Sequence, residues 1–214
     1  MKNIPIILIA LLLAGCTYNG KLKSGFYTPP TSANKIPLKA NLICGDSFKT
    51  TKIDPGHIFG AHAVKLETDP ALQEALTTTC KSLFDEVCVS HEIDVKIQYG
   101  ADLNLFPKLG MEGTILRFTL TVKNTSGDVI KQYESNRNFK FGPPPGVHFL
   151  NIINMPFCGM LFPVVIPSNT FMIGRRGERI FNEQVAACLK QVADEIRNDA
   201  VLLSKNHHKA ETGQ

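Results

Sequence analysis

"GTILRFTLTVKNTSGDVIKQYESNRNFKF", residues 113–141, is the stretch that settles the kind of fold. Leu116, Phe118, Leu120 and Val122 alternate with Arg117, Thr119 and Thr121. That period of two belongs to a strand with one face in a core and the other in water. Asn124 to Asp128 then gathers turn-forming residues, Gly127 among them, and Val129, Tyr133, Phe139 and Phe141 share parity on the far side. The segment predicts a β-hairpin. A bulge in its long return strand is the feature able to break the phase.

Working outward, "IPLKANLI" (36–43) places Ile36, Leu38, Ala40 and Leu42 on one side of a first strand, with Pro37 near its start or on an edge. A Gly-containing loop follows, from Cys44 to about Thr68. Asp69 and Pro70 suit the cap and first residue of a helix. In "PALQEALTTTCKSLFDEV" (70–87), Leu72, Leu76, Cys80, Leu83, Phe84 and Val87 recur three and four residues apart, which predicts one buried helical face. "EIDVKIQY" (92–99) returns to alternation and predicts a strand. Near the end, "RIFNEQVAACLKQVADEIRNDAVLL" (179–203) carries Phe181, Val185, Cys188, Leu189, Val192, Ile196, Ala200 and Leu203 on a single helical stripe.

Strand, helix, strand, hairpin, insertion and helix, in that order, predict an α+β fold. The arrangement that buries every apolar stripe is a two-layer sandwich, a mostly antiparallel sheet of about four strands with two amphipathic helices on one face. The length suits one domain, 36–204, preceded by residues 16–35 as a polar, Gly-, Ser- and Pro-containing tether and followed by a polar tail, 205–214, expected to be disordered.

The insertion, 143–173, fits none of these periodicities. Phe149 to Ile173 is free of charge, yet Pro156, Pro163 and Pro167 argue against any continuous helix there. Three readings stay open: a loop folded back over the sheet, an apolar hairpin dipping into a membrane with Arg175, Arg176 and Arg179 at the headgroups, or a surface for a protein partner. The candidate contact residues are Phe149, Phe157, Met160, Leu161, Phe162, Arg175 and Arg176.

The N-terminus speaks to location. Met1 and Lys2 precede an apolar run, Ile4 to Leu13, closed by Ala14 and Gly15. This is the order of an export signal, and the run falls short of the roughly 20 residues that span a bilayer. Leu13-Ala14-Gly15-Cys16 resembles the bacterial lipobox. The resemblance implies removal of residues 1–15 as a lipoprotein signal peptide, a diacylglyceryl group on the Cys16 thiol and acylation of its new amine. Thr17 in the second mature position leans towards the outer membrane. Several acyl chains, at about 0.8 kcal/mol per buried methylene, hold a soluble domain on a membrane almost irreversibly.

Together with "IPLKANLICGDSF" (36–48), "LQEALTTTCKSLFDEV" (72–87) and "NEQVAACLKQVADEI" (182–196), the lipobox makes the chain similar to the small bacterial envelope lipoproteins, the YajG-like and LptE-like groups among them. The resemblance implies a non-catalytic accessory or scaffold subunit in cell-envelope assembly or transport. It implies lipid anchorage facing the periplasm, an envelope protein as partner, and no cofactor.

Composition adds exclusions. The formal charge of +4 falls to +3 once Lys2 leaves with the signal, and without a clustered basic run it gives no reason for a nucleic-acid partner. Beyond Cys16, five cysteines remain: Cys44, Cys80, Cys88, Cys158 and Cys188. An odd number leaves at least one unpaired, and their spacing matches no zinc motif. The alternative function is a periplasmic hydrolase or metal-binding protein using His57 and His62, with His91 as a further ligand or with Cys44 or Cys158 beside His57 or His148. "GRRGER" (174–179) lacks the glycine spacing of a nucleotide-binding loop.

Overall fold

In the computed structural model the hairpin forms as the alternation requires, in a chain described over residues 17–30, 34–45, 50–53, 63–91, 100–112, 114–139 and 162–204. Eight strands are described: β1 (Thr17–Lys21), β2 (Ile36–Cys44), β3 (Thr50–Ile53), β4 (Ala63–Glu67), β5 (Phe84–His91), β6 (Leu103–Glu112), β7 (Ile115–Lys123) and β8 (Val129–Asn138). The helices are α1 (Ala71–Leu83), α2 (Phe162–Asn198) and a closing stretch α3, 200–204. The chain is α+β and divides into two compact units.

The larger unit holds a five-stranded sheet in the order β5-β2-β6-β7-β8. β2 runs parallel to both β5 and β6, while β6-β7 and β7-β8 are antiparallel. The sheet is therefore mixed and five-stranded, where a mostly antiparallel sheet of about four was expected. Two features of the sequence account for the difference. β6, "LNLFPKLGME", carries Pro107 and Gly110, both poor strand residues, and yields no alternation signal over its second half. Pro107 lies beyond Leu103–Leu105, the stretch that pairs with β2, and stands opposite Leu120 on β7. The first half of β5, Phe84 to Val87, is expected from its spacing to be helix. Phe84 and Val87 continue the helical phase, but α1 stops at Leu83 and Phe84 turns extended, φ −114° and ψ 153°. β-branched Val87 and Val89 then join a parallel ladder on β2, from Ile36↔Phe84 to Cys44↔His91. α1 itself starts at Ala71 with Pro70 as its cap, one residue later than expected. The expected strand 92–99 lies outside the described residues, as does the tail 205–214.

Register puts the apolar positions of four strands on one face. Leu38, Ala40, Leu42, Leu103, Leu105, Leu109, Leu116, Phe118, Leu120, Val122 and Tyr133 are all buried there. Val129, expected on that face, is 58% exposed. The reason is a register shift: Val122 pairs with Lys131 but Lys123 pairs with Val129, so Ile130 is the extra residue and Val129 swings to the polar side. Gly127 closes the hairpin turn at φ 91°, where a side chain would be strained. Asn124 braces the same turn, its Oδ1 accepting from the Asp128 N–H at 2.8 Å.

α1 packs on β2 and β5 through Leu72, Leu76, Cys80 and Leu83. Within the second half of α2, Val185, Cys188, Leu189, Val192 and Ile196 are buried as their spacing requires, and Ser135 Oγ on β8 donates to Gln191 Oε1 at 2.9 Å. Arg137 Nη2 donates to the same oxygen at 3.0 Å, and Gln191 Nε2 donates to Glu195 at 2.9 Å. These bonds satisfy the buried Ser135 hydroxyl and Arg137 Nη2, while Arg137 Nε is buried without a hydrogen-bond partner among the described residues.

The smaller unit holds a three-stranded sheet in the order β1-β4-β3, β1 and β4 parallel from Thr17↔Ala63 to Lys21↔Glu67. The stretch expected as a tether thus begins with a paired strand. Its polar side chains carry no hydrophobic signal, and the pairing comes from backbone groups that a residue pattern does not display. α2 also begins earlier than the prolines allowed. Pro163 falls in the first turn, where its missing N–H has no intrahelical partner in any case, and Pro167 removes a single bond, the one to the Pro163 carbonyl.

Candidate functional site

The first described strand, β1, starts at Thr17, one residue after Cys16, and what surrounds its Tyr18 is the candidate site. Cys16 lies outside the described residues, as do Phe149, Phe157, Met160 and Leu161, and with them His57, His62, His148 and Cys158. Phe162 opens α2. Arg175 is exposed and Arg176 half-buried on the same helix.

Tyr18 organises this region. Its ring lies on α2 over Gly174, where an added Cβ would come within 2.1 Å of the Tyr18 Cγ, so only glycine admits it. Edge-on, it meets Phe171 with ring centroids 6.1 Å apart. Its hydroxyl donates to Glu178 Oε2 at 2.7 Å. Phe171, Gly174 and Glu178 stand three and four residues apart, one stripe of a helix. The Arg175 guanidinium lies 5.3 Å from the centre of the Phe171 ring, within cation–π range. Burial, then the Glu178 bond, pushes the Tyr18 phenol up to about 12. Arg176 Nε is shielded from solvent and has no hydrogen-bond partner among the described residues.

Beyond Arg175 and Arg176, reading the sequence did not find this cluster. The signal was present: Phe171, Arg175 and Arg179 are four apart. The prolines at 163 and 167 had set the helix start at residue 179 and hidden the spacing.

The remaining polar features are structural in character. On the larger unit's sheet, Ser90 Oγ donates to Asn41 Oδ1 at 3.0 Å and Asn41 Nδ2 to Asn104 Oδ1 at 3.2 Å, a ladder that satisfies buried amides across three strands. Lys39 pairs with Glu86 at 3.0 Å, and that bond holds its ammonium above the usual lysine range. Cys44, a candidate nucleophile, is buried, and burial pushes its thiol up to about 11, the wrong direction for an activated cysteine. His91 ends β5. Among the described residues no group of three or more His, Cys, Asp or Glu is placed to hold a metal. No helix among them is long and apolar enough to cross a membrane.

No family model matches the sequence, and no curated protein is similar to it. Among the solved structures that resemble the chain, two illustrate how weak the likeness is. One, described as an uncharacterized protein, is 11% identical with a TM-score of 0.30, covering 78% of this chain and 99% of its own. The other, protein VC0702 from Vibrio cholerae, is 11% identical with a TM-score of 0.27, covering 84% and 97%. At such scores neither bears on fold or function.

Proposed function

We propose that the chain is an exported bacterial lipoprotein, held on a membrane by lipid on Cys16 and acting as a non-catalytic accessory or scaffold subunit of the cell envelope, in the manner of the YajG-like and LptE-like groups it resembles. The observation that carries this reading is Leu13-Ala14-Gly15-Cys16 directly after a short apolar run. The start of β1 at Thr17 fits it, since removal of residues 1–15 leaves every described strand whole. Residence in the outer membrane, facing the periplasm, follows from Thr17 in the second mature position, and an envelope protein is the expected partner.

Within this reading the larger unit serves as a two-layer sandwich, both helices on the apolar side of the sheet. The neighbouring Cys44 and Cys80 thiols and the Ser135–Gln191 bond support that arrangement. The opposite side, with Lys108, Arg117, Gln132, Glu134 and Asn136, is left polar.

Labelled palmitate fed to cells making the full chain tests the anchor. Wild type takes up label and Cys16→Ser takes up none. Equal labelling of the two overturns the proposal. In-cell crosslinking of the labelled protein then identifies the partner.

A further inference from the structure

Tyr18 stands two residues beyond Cys16, so the lipid-bearing residue lies within about 7 Å of the Tyr18 Cα, the reach of two peptide units. Tyr18 is not free to swing away. β1 is paired along Thr17–Lys21, the ring is seated over Gly174 and the hydroxyl is tied to Glu178. Acyl chains on Cys16 therefore leave the protein beside the α2 stripe that meets Tyr18, with no spacer between lipid and fold.

That stripe carries an unusual pair. Phe171, in the smaller unit, is a large hydrophobic side chain left 53% exposed. Arg175, one turn on, is exposed, with its guanidinium carbon 5.3 Å from the centre of the Phe171 ring. Arg176 stands beside it. An aromatic ring with arginine one turn away matches the layering of a membrane interface, where rings sit at the acyl boundary and guanidinium groups at phosphate level.

Resting on the lipoprotein reading, we propose that Phe171 and Arg175 form a membrane-contact element that seats the smaller unit against the leaflet holding the Cys16 acyl chains, Phe171 at the headgroup–acyl boundary and Arg175 on phospholipid phosphate. The occupant is the phospholipid surface. Continuity with the anchor and charge complementarity to phosphate single it out, and a protein occupant becomes an outcome of the test. The element contributes orientation, since the acyl chains already supply affinity.

The chain contains no tryptophan, so Phe171→Trp in the full, acylated protein gives a single indole, excited selectively beyond the tyrosine absorption. The probe is vesicles of phosphatidylethanolamine and phosphatidylglycerol, with and without lipid brominated in the acyl chain. Emission is expected to shift to shorter wavelength in vesicles and to fall about twofold with brominated lipid, the depth of an interfacial side chain. Arg175→Glu in the same background weakens the quenching. A blue shift without quenching means a protein surface covers the introduced indole, and overturns the proposal. Palmitate labelling of the same sample separates the two readings: label without quenching overturns the docking alone, and absence of label overturns the anchor and the docking with it. Dicarbonyl modification of the unaltered protein checks the result without substitution. Arg175 is protected in vesicles relative to detergent if the proposal holds, and equal rates overturn it.

Discussion

The Tyr18 hydroxyl, bonded to Glu178 at 2.7 Å, joins the second residue of β1 to a helix 160 positions later in the chain. Burial and this bond raise the phenol from 10.0 to about 12. A proton held more tightly in the folded state stabilises the fold fully below pH 10, and that contribution is lost as pH rises towards 12. The stability gap between wild type and Tyr18→Phe is therefore expected to be constant up to about pH 9 and to narrow above 10. Denaturant midpoints across that range measure it, and a pH-independent gap would show that neither burial nor the bond perturbs the phenol.

Gly174→Ala is expected to destabilise by about 1–3 kcal/mol, because its methyl group must displace the Tyr18 ring. In a Tyr18→Ala background the sign reverses, to a gain of about 0.5–1 kcal/mol, since alanine is the better helix former once the ring is gone. Thermal unfolding of the four proteins closes the cycle. Additive effects would mean the ring and the glycine do not meet.

Of the four described cysteines, Cys88 is exposed, and Cys44, Cys80 and Cys188 are buried and free. Burial pushes the Cys80 thiol up to about 12 and raises Cys188 as well. Native alkylation followed by peptide mass mapping is expected to label Cys88 within the first phase and to reach the buried three only after unfolding. Early modification of Cys188 would contradict the packing of α2 on β8.

Gln191→Leu leaves the Ser135 hydroxyl and Arg137 Nη2 without their shared acceptor. Since Ser135 is fully buried, a loss of about 1–3 kcal/mol is expected. Urea denaturation with an unchanged slope measures it. A loss below half the lower bound would mean water replaces the glutamine oxygen.

Side-chain periodicity made the hairpin, the first strand and the final helical stripe legible, and Leu116, Phe118, Val185 and Val192 lie where their spacing put them. What escaped was set by backbone pairing or by proline context. β1 is built from Thr17-Tyr18-Asn19-Gly20-Lys21, which has no apolar alternation to read, and its partner β4 is distant in sequence. β5 escaped because Phe84 and Val87, three apart, continue the helical period of α1, and only the parallel ladder on β2 decides against it. The Tyr18 cluster escaped because Pro163 and Pro167 look like helix breakers, whereas near a helix start they cost a single hydrogen bond.

The smaller unit draws on three separate segments, within 1–21, 51–67 and 140–181. During synthesis β1 is made first, yet its ring cannot settle until Gly174 and Glu178 have followed, when most of the chain is already out. Closing so long a loop early is entropically unfavourable, so the strand waits, unpaired on its helical side, for nearly the whole of translation. Completion of the last long helix is thus the event that locks the first strand, and a chain stalled before residue 178 leaves its own beginning unfastened.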